Sequence, residues 1–261
     1  GQFYELLGLV PKWKRLQEEK QTLRFLMQQA ETDWLRQYYQ ELETSLDPGK
    51  TPADWDKYGV MLFDCLNALE KQKEPLYQRV FSIAVLGGSK IFEEKLKSRV
   101  VSVLSRYHPE ADDAMSEREI LSLVYLEDYA QQLAIKGNLK IELEGKEIDY
   151  GDQVYGTVLT TDTLRYARLL PDQSIRKIIT VENKANFFST PYETDTLIVF
   201  SHGFFSPLEC TFLRQLIGKI PDVEFFHTGD LDYGGIRIFR HIREHICPRV
   251  RPLQMDADWY D

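Results

Sequence analysis

The 261 residues are 43% apolar and 12% aromatic, which excludes a disordered, collagen-like or coiled-coil chain. Lysine and arginine number 32 against 41 aspartate and glutamate, and the net charge of −9 argues against an ordinary, basic nucleic-acid binder. The length suits one large domain or two ordinary ones, and neither a membrane span nor a signal peptide is expected.

The first part of the chain reads as helical. Apolar residues recur at helical spacing from Pro11 to about Leu46, Trp34, Leu35, Tyr38, Tyr39 and Leu42 among them, and stop at Asp47-Pro48-Gly49. A second helix is expected over about 53–71, and Pro75 suits the first turn of a third that carries Leu76, Val80 and Phe81. Leu86-Gly87-Gly88-Ser89-Lys90 follows, with Ser89 as the N-cap of a helix turning Phe92, Leu96, Val100 and Val103 inward. Ser116-Glu117-Arg118-Glu119 is a capping-box pattern, expected to open a helix to about Ala134.

The period then changes. Leu139, Ile141 and Leu143 alternate with polar residues, Glu144-Gly145-Lys146 makes a turn, and Ile148 resumes: a hairpin. A short strand over 154–159 and a short helix from Thr161 lead to Pro171-Asp172-Gln173, which reads as a linker. From about Ile175, strands over 177–181, 196–200, 223–227 and 250–255 alternate with helices over 208–217 and 233–246. That alternation implies crossover units and a parallel sheet with helices on both faces, an α/β fold. Three regions are expected: helical 1–74, helices plus hairpin 75–172, and α/β 173–261. Both ends read as interior to a longer protein. Cys65, Cys210 and Cys247 form no zinc pattern and suit buried packing in a reducing cytosol.

In a parallel sheet, sites form at the carboxyl ends of the strands. Glu182 closes the first strand, and Asp230 and Asp232 follow the third, 48 residues later for the nearer of the two. If those strands are neighbours, three carboxylates converge. Two carboxylates about 4 Å apart repel by roughly 4 kcal/mol at an effective dielectric of 20, so such a cluster calls for a divalent cation. Hard oxygen donors favour Mg²⁺ or Mn²⁺ over zinc. The other reading is that Asp230 or Asp232 caps the following helix. Gly229, Gly234 and Gly235 would admit a phosphate close to the backbone.

Strand–Glu followed by strand–Asp-x-Asp-x-Gly-Gly resembles the Toprim domain of topoisomerases, primases and related nucleases. With the flanking Val181-Glu182-Asn183, Ser201-His202-Gly203-Phe204, His227-Thr228-Gly229 and Met255-Asp256, the chain resembles the JetD nucleases of the Wadjet plasmid-defence system, relatives of the topoisomerase VI A subunit. Leu86-Gly87-Gly88-Ser89-Lys90 is similar to that family's Gly-Asp-Ser-Lys segment, with Gly88 in place of the acid. The resemblance implies a Toprim domain after a winged-helix-like region with residues 139–150 as its wing. It implies an Mg²⁺-dependent endonuclease acting on double-stranded DNA beside a condensin-like SMC ATPase complex. Asp230 and Asp232 would then hold the metal, and Glu182 would be a further ligand or the general acid/base. A homodimer is also expected. The alternatives are a non-catalytic DNA-binding adaptor and a topoisomerase-like subunit attacking through a tyrosine such as Tyr77 or Tyr107.

The acidic average breaks up along the chain. Residues 79–107 and 233–252 each carry +4, whereas 108–152 carry −8. Lys90 and Arg99 in the first stretch, Arg237 and Arg240 in the second, and Lys184 beside Glu182 are the expected phosphate contacts. His202 and His227 stand beside strand ends, either orienting water or contacting phosphate, or simply packed.

Overall fold

Polar groups buried from far along the chain cut the long helical pattern of the first hundred residues into shorter pieces. A computed structural model describes residues 12–46 and 52–255; Pro11, the Asp47-Pro48-Gly49 stop and Asp256 lie outside the described residues. The chain divides into two compact units: residues up to Asp113 with Ile120–Asp128, and Ala114–Glu119 with the chain from Tyr129 on.

In the first unit, α1 (Lys12–Gln29) and α2 (Asp33–Ser45) replace the single helix expected. Glu70 causes the break. Its Oε2 accepts from the backbone N–H of Glu31 and Thr32 and from the Thr32 hydroxyl, each at 3.0 Å. Bonds to a charged acceptor contribute about 1.5–3 kcal/mol each, so running α1 straight through would strand a buried carboxylate. The second expected helix is likewise split, into α3 (Ala53–Tyr58) and α4 (Val60–Glu70), at Gly59 with φ +60°. Pro75 opens no helix: β1 (Leu76–Tyr77) pairs in parallel with β2 (Leu126–Glu127), and α5 (Gln78–Leu86) follows β1. Ser89 is not a cap either. The Ser82 hydroxyl donates to the Gly88 carbonyl and accepts from Phe92 N at 3.0 Å. The chain then enters a π-helical turn, Phe92–Leu96, that leads into α6 (Lys97–Tyr107). The stripe of Trp34, Leu35, Tyr38, Tyr39 and Leu42 on α2 is buried, with α1, α4 and α6 packed around it.

At the start of the next helix the capping box is present: Ser116 N donates to Glu119 Oε2 at 2.8 Å, and Glu119 N to Ser116 Oγ at 3.4 Å. The helix it opens, α7 (Glu117–Ser122), nevertheless stops well short of Ala134. Residues 132–137 form β3 (Gln132–Gly137) instead, because Leu133 and Ile135 bury on alternate positions between two strand partners. Next come β4 (Lys140–Leu143), β5 (Lys146–Asp149), β6 (Thr157–Thr160), α8 (Thr161–Tyr166) and β7 (Arg168–Leu169). The hairpin is as expected, β4 and β5 joined through Glu144 and Gly145 at φ +52° and +75°, the two-residue turn that suits strand twist. With β7 it makes a three-stranded sheet, and its Ile141 shares the core of the larger sheet.

That larger sheet takes β8 (Lys177–Val181), β9 (Thr196–Phe200), β10 (Glu224–Thr228) and β11 (Arg251–Pro252) in the order β11-β10-β8-β9-β3-β6. The expected parallel sheet is therefore mixed: β11 to β9 run parallel, while on one side β3 pairs antiparallel with β9 and β6 antiparallel with β3. Side chains alternate across it. Ile178, Leu197, Val199 and Phe225 share a core with α10 (Pro207–Lys219) and α11 (Tyr233–His245). Ile179, Val181 and Ile198 face Phe187 of α9 (Lys184–Ser189). The three cysteines are buried and stand outside any disulfide among the described residues. Among the described residues no helix is long and apolar enough to cross a membrane.

Candidate functional site

The pairing of β8 with β10 aligns Val181 with Thr228, so the residues after each strand leave the sheet side by side. Glu182 N still donates to Thr228 O at 3.0 Å, which carries the ladder one step beyond the strands. The Glu182 carboxylate then turns to the next loop, where its Oε2 accepts from Asp230 N at 3.3 Å. Burial first, and then the charges of Asp230 and Asp232, push the Glu182 carboxyl above its usual range.

Asp232 does what a cap does: its Oδ1 accepts from Gly235 N at 2.8 Å at the start of α11. Glu182 and Asp230 are therefore brought together, while Asp232 is partly committed to the helix. Among the described residues no three His, Cys, Asp or Glu side chains stand as a metal-holding group. The donors nevertheless fit a hard divalent cation, being carboxylates without thiolates. Glu182, with its charge disfavoured by burial and two like neighbours, is an anion that a cation would stabilise.

Two of the three glycines are needed, though for the chain's own packing. A Cβ on Gly229 would stand 2.3 Å from Glu182 Oε2, and one on Gly235 would stand 2.0 Å from Asp230 O. At Gly234 a Cβ would meet nothing nearer than Asp232 Oδ1 at 3.4 Å.

The histidines are both built into the scaffold. His227 is fully buried; Thr180 Oγ1 donates to Phe226 O at 3.2 Å and lies 2.9 Å from His227 Nδ1. Burial lowers the His227 pKa to about 4 and keeps the ring neutral. His202, at φ +47°, pairs through Nε2 with Oε1 of buried Glu209 at 3.0 Å. Glu209 in turn closes a capping box with Ser206 at the start of α10.

Of the expected phosphate contacts, Lys184 is exposed on α9, two residues from Glu182, and has no ion pair among the described residues. Arg237 lies over the Tyr233 ring at 5.7 Å, and Arg240 is paired with Glu244 at 2.7 Å. In the first unit Lys90 is exposed. Arg99 is not free: its Nε bonds Asp54 Oδ2 at 2.9 Å, and the same oxygen takes the Tyr38 hydroxyl at 2.7 Å. Of the two tyrosines, Tyr77 is 41% exposed. Tyr107 donates to Glu41 at 2.6 Å and, by burial and that carboxylate, has its pKa pushed up to about 12.

One residue escaped the sequence reading. Lys136 on β3 is 4% exposed and donates to three carbonyls at the end of α9: Phe187 O at 3.0 Å, Phe188 O at 3.1 Å and Thr190 O at 2.9 Å. It pins the helix that follows Glu182. A lysine in an alternating strand carries no signal of burial, since lysine is rarely found inside.

Residues 136–261 match the family model described as Wadjet protein JetD, C-terminal. Over those residues the chain is similar to the JetD family. It is also similar to "Wadjet protein JetD" of Bacillus cereus (strain Q1), at 27% identity over 271 residues that cover 99% of this chain. The chain spans 64% of that relative's length. The JetD C-terminal match takes in Glu182, Asp230, Asp232 and Lys136 together.

Proposed function

We propose that this chain is part of a metal-dependent DNA endonuclease of the Wadjet defence system, with its catalytic site in a Toprim-type domain. The observation that carries the reading is the meeting of Glu182 with the Asp230 loop at adjacent parallel strand ends, within a JetD C-terminal domain. Asp230, Asp232 and Glu182 would hold Mg²⁺ or Mn²⁺, which when bound activates water and offsets charge developing on a phosphodiester. The chain's own part is to fix the two loops, through the ladder bond at Glu182 N and the Asp232 cap, and to offer Lys184 and Arg237 to neighbouring phosphates. The partners are double-stranded DNA, a condensin-like ATPase complex and a second copy of the protein.

A non-catalytic adaptor is the second reading, favoured by two facts: Asp232 is engaged as a cap, and no three-acid group stands assembled among the described residues. The test is cleavage of circular plasmid by the full-length protein with its Wadjet partners, in Mg²⁺ or Mn²⁺. Asp230→Ala and Glu182→Gln are expected to abolish cutting while the protein stays folded; full cutting by both variants overturns the endonuclease reading. A tyrosyl–DNA adduct trapped on denaturant quench would instead establish the topoisomerase-like chemistry.

A further inference from the structure

Beside the Glu182–Asp230 pair lies a cavity of about 330 Å³, near the lower end of the range for small-ligand sites of about 300–1,000 Å³. One wall is the α9 segment, with Asn183, Asn186, Ser189 and Thr190. The opposite wall is the end of β10 from Thr228 to Asp230, and Gln254 closes the third side. No lysine, arginine or aromatic ring lines it.

We propose that this cavity is a subsite for the sugar–phosphate backbone of a DNA strand, one nucleotide along from the phosphodiester presented to Glu182 and Asp230. The inference rests on the endonuclease reading and adds where the strand is gripped. Its donors are unspent. The side chains of Asn186, Thr228 and Gln254 make no hydrogen bond to any described residue. Asn183 Oδ1 is occupied by the N–H groups of Ala185 and Asn186, which leaves its amide nitrogen to donate outward. Amide and hydroxyl groups of this kind hold phosphate and sugar oxygens and set register without reading sequence. A nucleobase would want a stacking surface, and the walls supply none.

The walls are also fixed before any ligand arrives. Lys136 anchors the α9 side through three carbonyls. On the other side Leu253 N donates to His227 O at 2.7 Å, which ties the chain entering Gln254 to β10. A rigid trough of amides and hydroxyls, whose one charged lining residue is Asp230, can seat a phosphate beside a cation held by Glu182 and Asp230.

The test is the salt dependence of binding to a short DNA duplex by the full-length protein, without divalent cation. Asn186→Lys and Gln254→Lys replace side chains that hold nothing in the fold. Gln215→Lys, at an exposed position of α10, adds the same charge elsewhere in the second unit. If phosphate enters the cavity, each cavity lysine steepens the slope of log K against log salt by about one ion, and Gln215→Lys leaves it at the wild-type value. Slopes unchanged in both cavity variants, with wild type binding and cutting normally, overturn the subsite alone. Protection of the cavity by free nucleotides but not by duplex also overturns it. Failure of the wild-type protein and partners to bind or cut DNA removes the endonuclease reading itself.

Discussion

The carboxylate of Glu182 meets the backbone N–H of Asp230 at 3.3 Å, across two strands that are neighbours in space and 48 residues apart in sequence. This contact holds the Asp-x-Asp loop against the end of β8, yet Glu182 is not at ease there. Its raised pKa means the folded protein disfavours the anion, so stability falls as pH rises through the window between the ordinary and the raised carboxyl values. Glu182→Gln is therefore expected to melt no lower than wild type at neutral pH without metal. Mg²⁺ or Mn²⁺ should raise the melting temperature of wild type and not of the variant. A scan with and without cation checks both; equal shifts in the two proteins would remove Glu182 from the metal site.

Lys136 is buried near the site and holds three carbonyls at the end of α9. Lys136→Met keeps the length of the side chain and loses three bonds to carbonyls, so a cost of at least about 1.5–3 kcal/mol, the value of one such bond, is expected. Hydrogen exchange should show the loss concentrated in residues 184–190, and denaturant titration gives its size. Uniform exchange across the second unit would instead mean a general packing defect.

Arg99 was a candidate phosphate contact from charge alone, but its guanidinium is bound to Asp54, which is 7% exposed. Arg99→Ala should cost about 1.5–3 kcal/mol by stranding that carboxylate, and should leave the salt dependence of DNA binding unchanged. Lys184→Ala should do the reverse. A salt slope reduced by Arg99→Ala would restore the residue to the DNA contact.

The pair of His202 and Glu209 gives a pH signature. Glu209 is held below its ordinary value chiefly by His202, against burial, so its contribution stands above the ordinary carboxyl pKa of 4.5 and fades as pH falls through the lowered value. His202 is raised by Glu209 against burial, so its contribution stands below the ordinary 6.5 and fades as pH rises through the raised value. The stability gap between wild type and Glu209→Gln should be widest between those two ordinary values and narrow on either side. Melting curves across pH test it; a gap that keeps widening with pH would contradict the pairing.

What was legible in the sequence was local. The apolar runs of β8, β9 and β10 are short and bounded by turn residues, and the acids after β8 and β10 mark the candidate site. The hairpin turn was equally clear, since Glu144-Gly145 can do little else between alternating strands. What was illegible depends on partners far along the chain. The end of α1 is set by Glu70, some 38 residues after Thr32, and the role of Arg99 by Asp54, 45 residues before it. β3 read as the tail of a helix because only its pairing with β6 and β9 makes it a strand. Of the two readings that the sequence of Asp232 allowed, the one seen is the cap.

The antiparallel placement of β3 has a practical consequence. It covers the flank of β9, and Ile135, Lys136 and Gly137 face Val199, Ile198 and Leu197 across that seam. A fragment cut to begin after residue 137 would keep every acid of the candidate site. It would also bare an apolar strand edge, orphan β6 and release α9, inviting self-association through the open edge. The smallest piece worth expressing therefore starts upstream of Gln132, and inactivity in a shorter one would report a missing strand rather than missing chemistry.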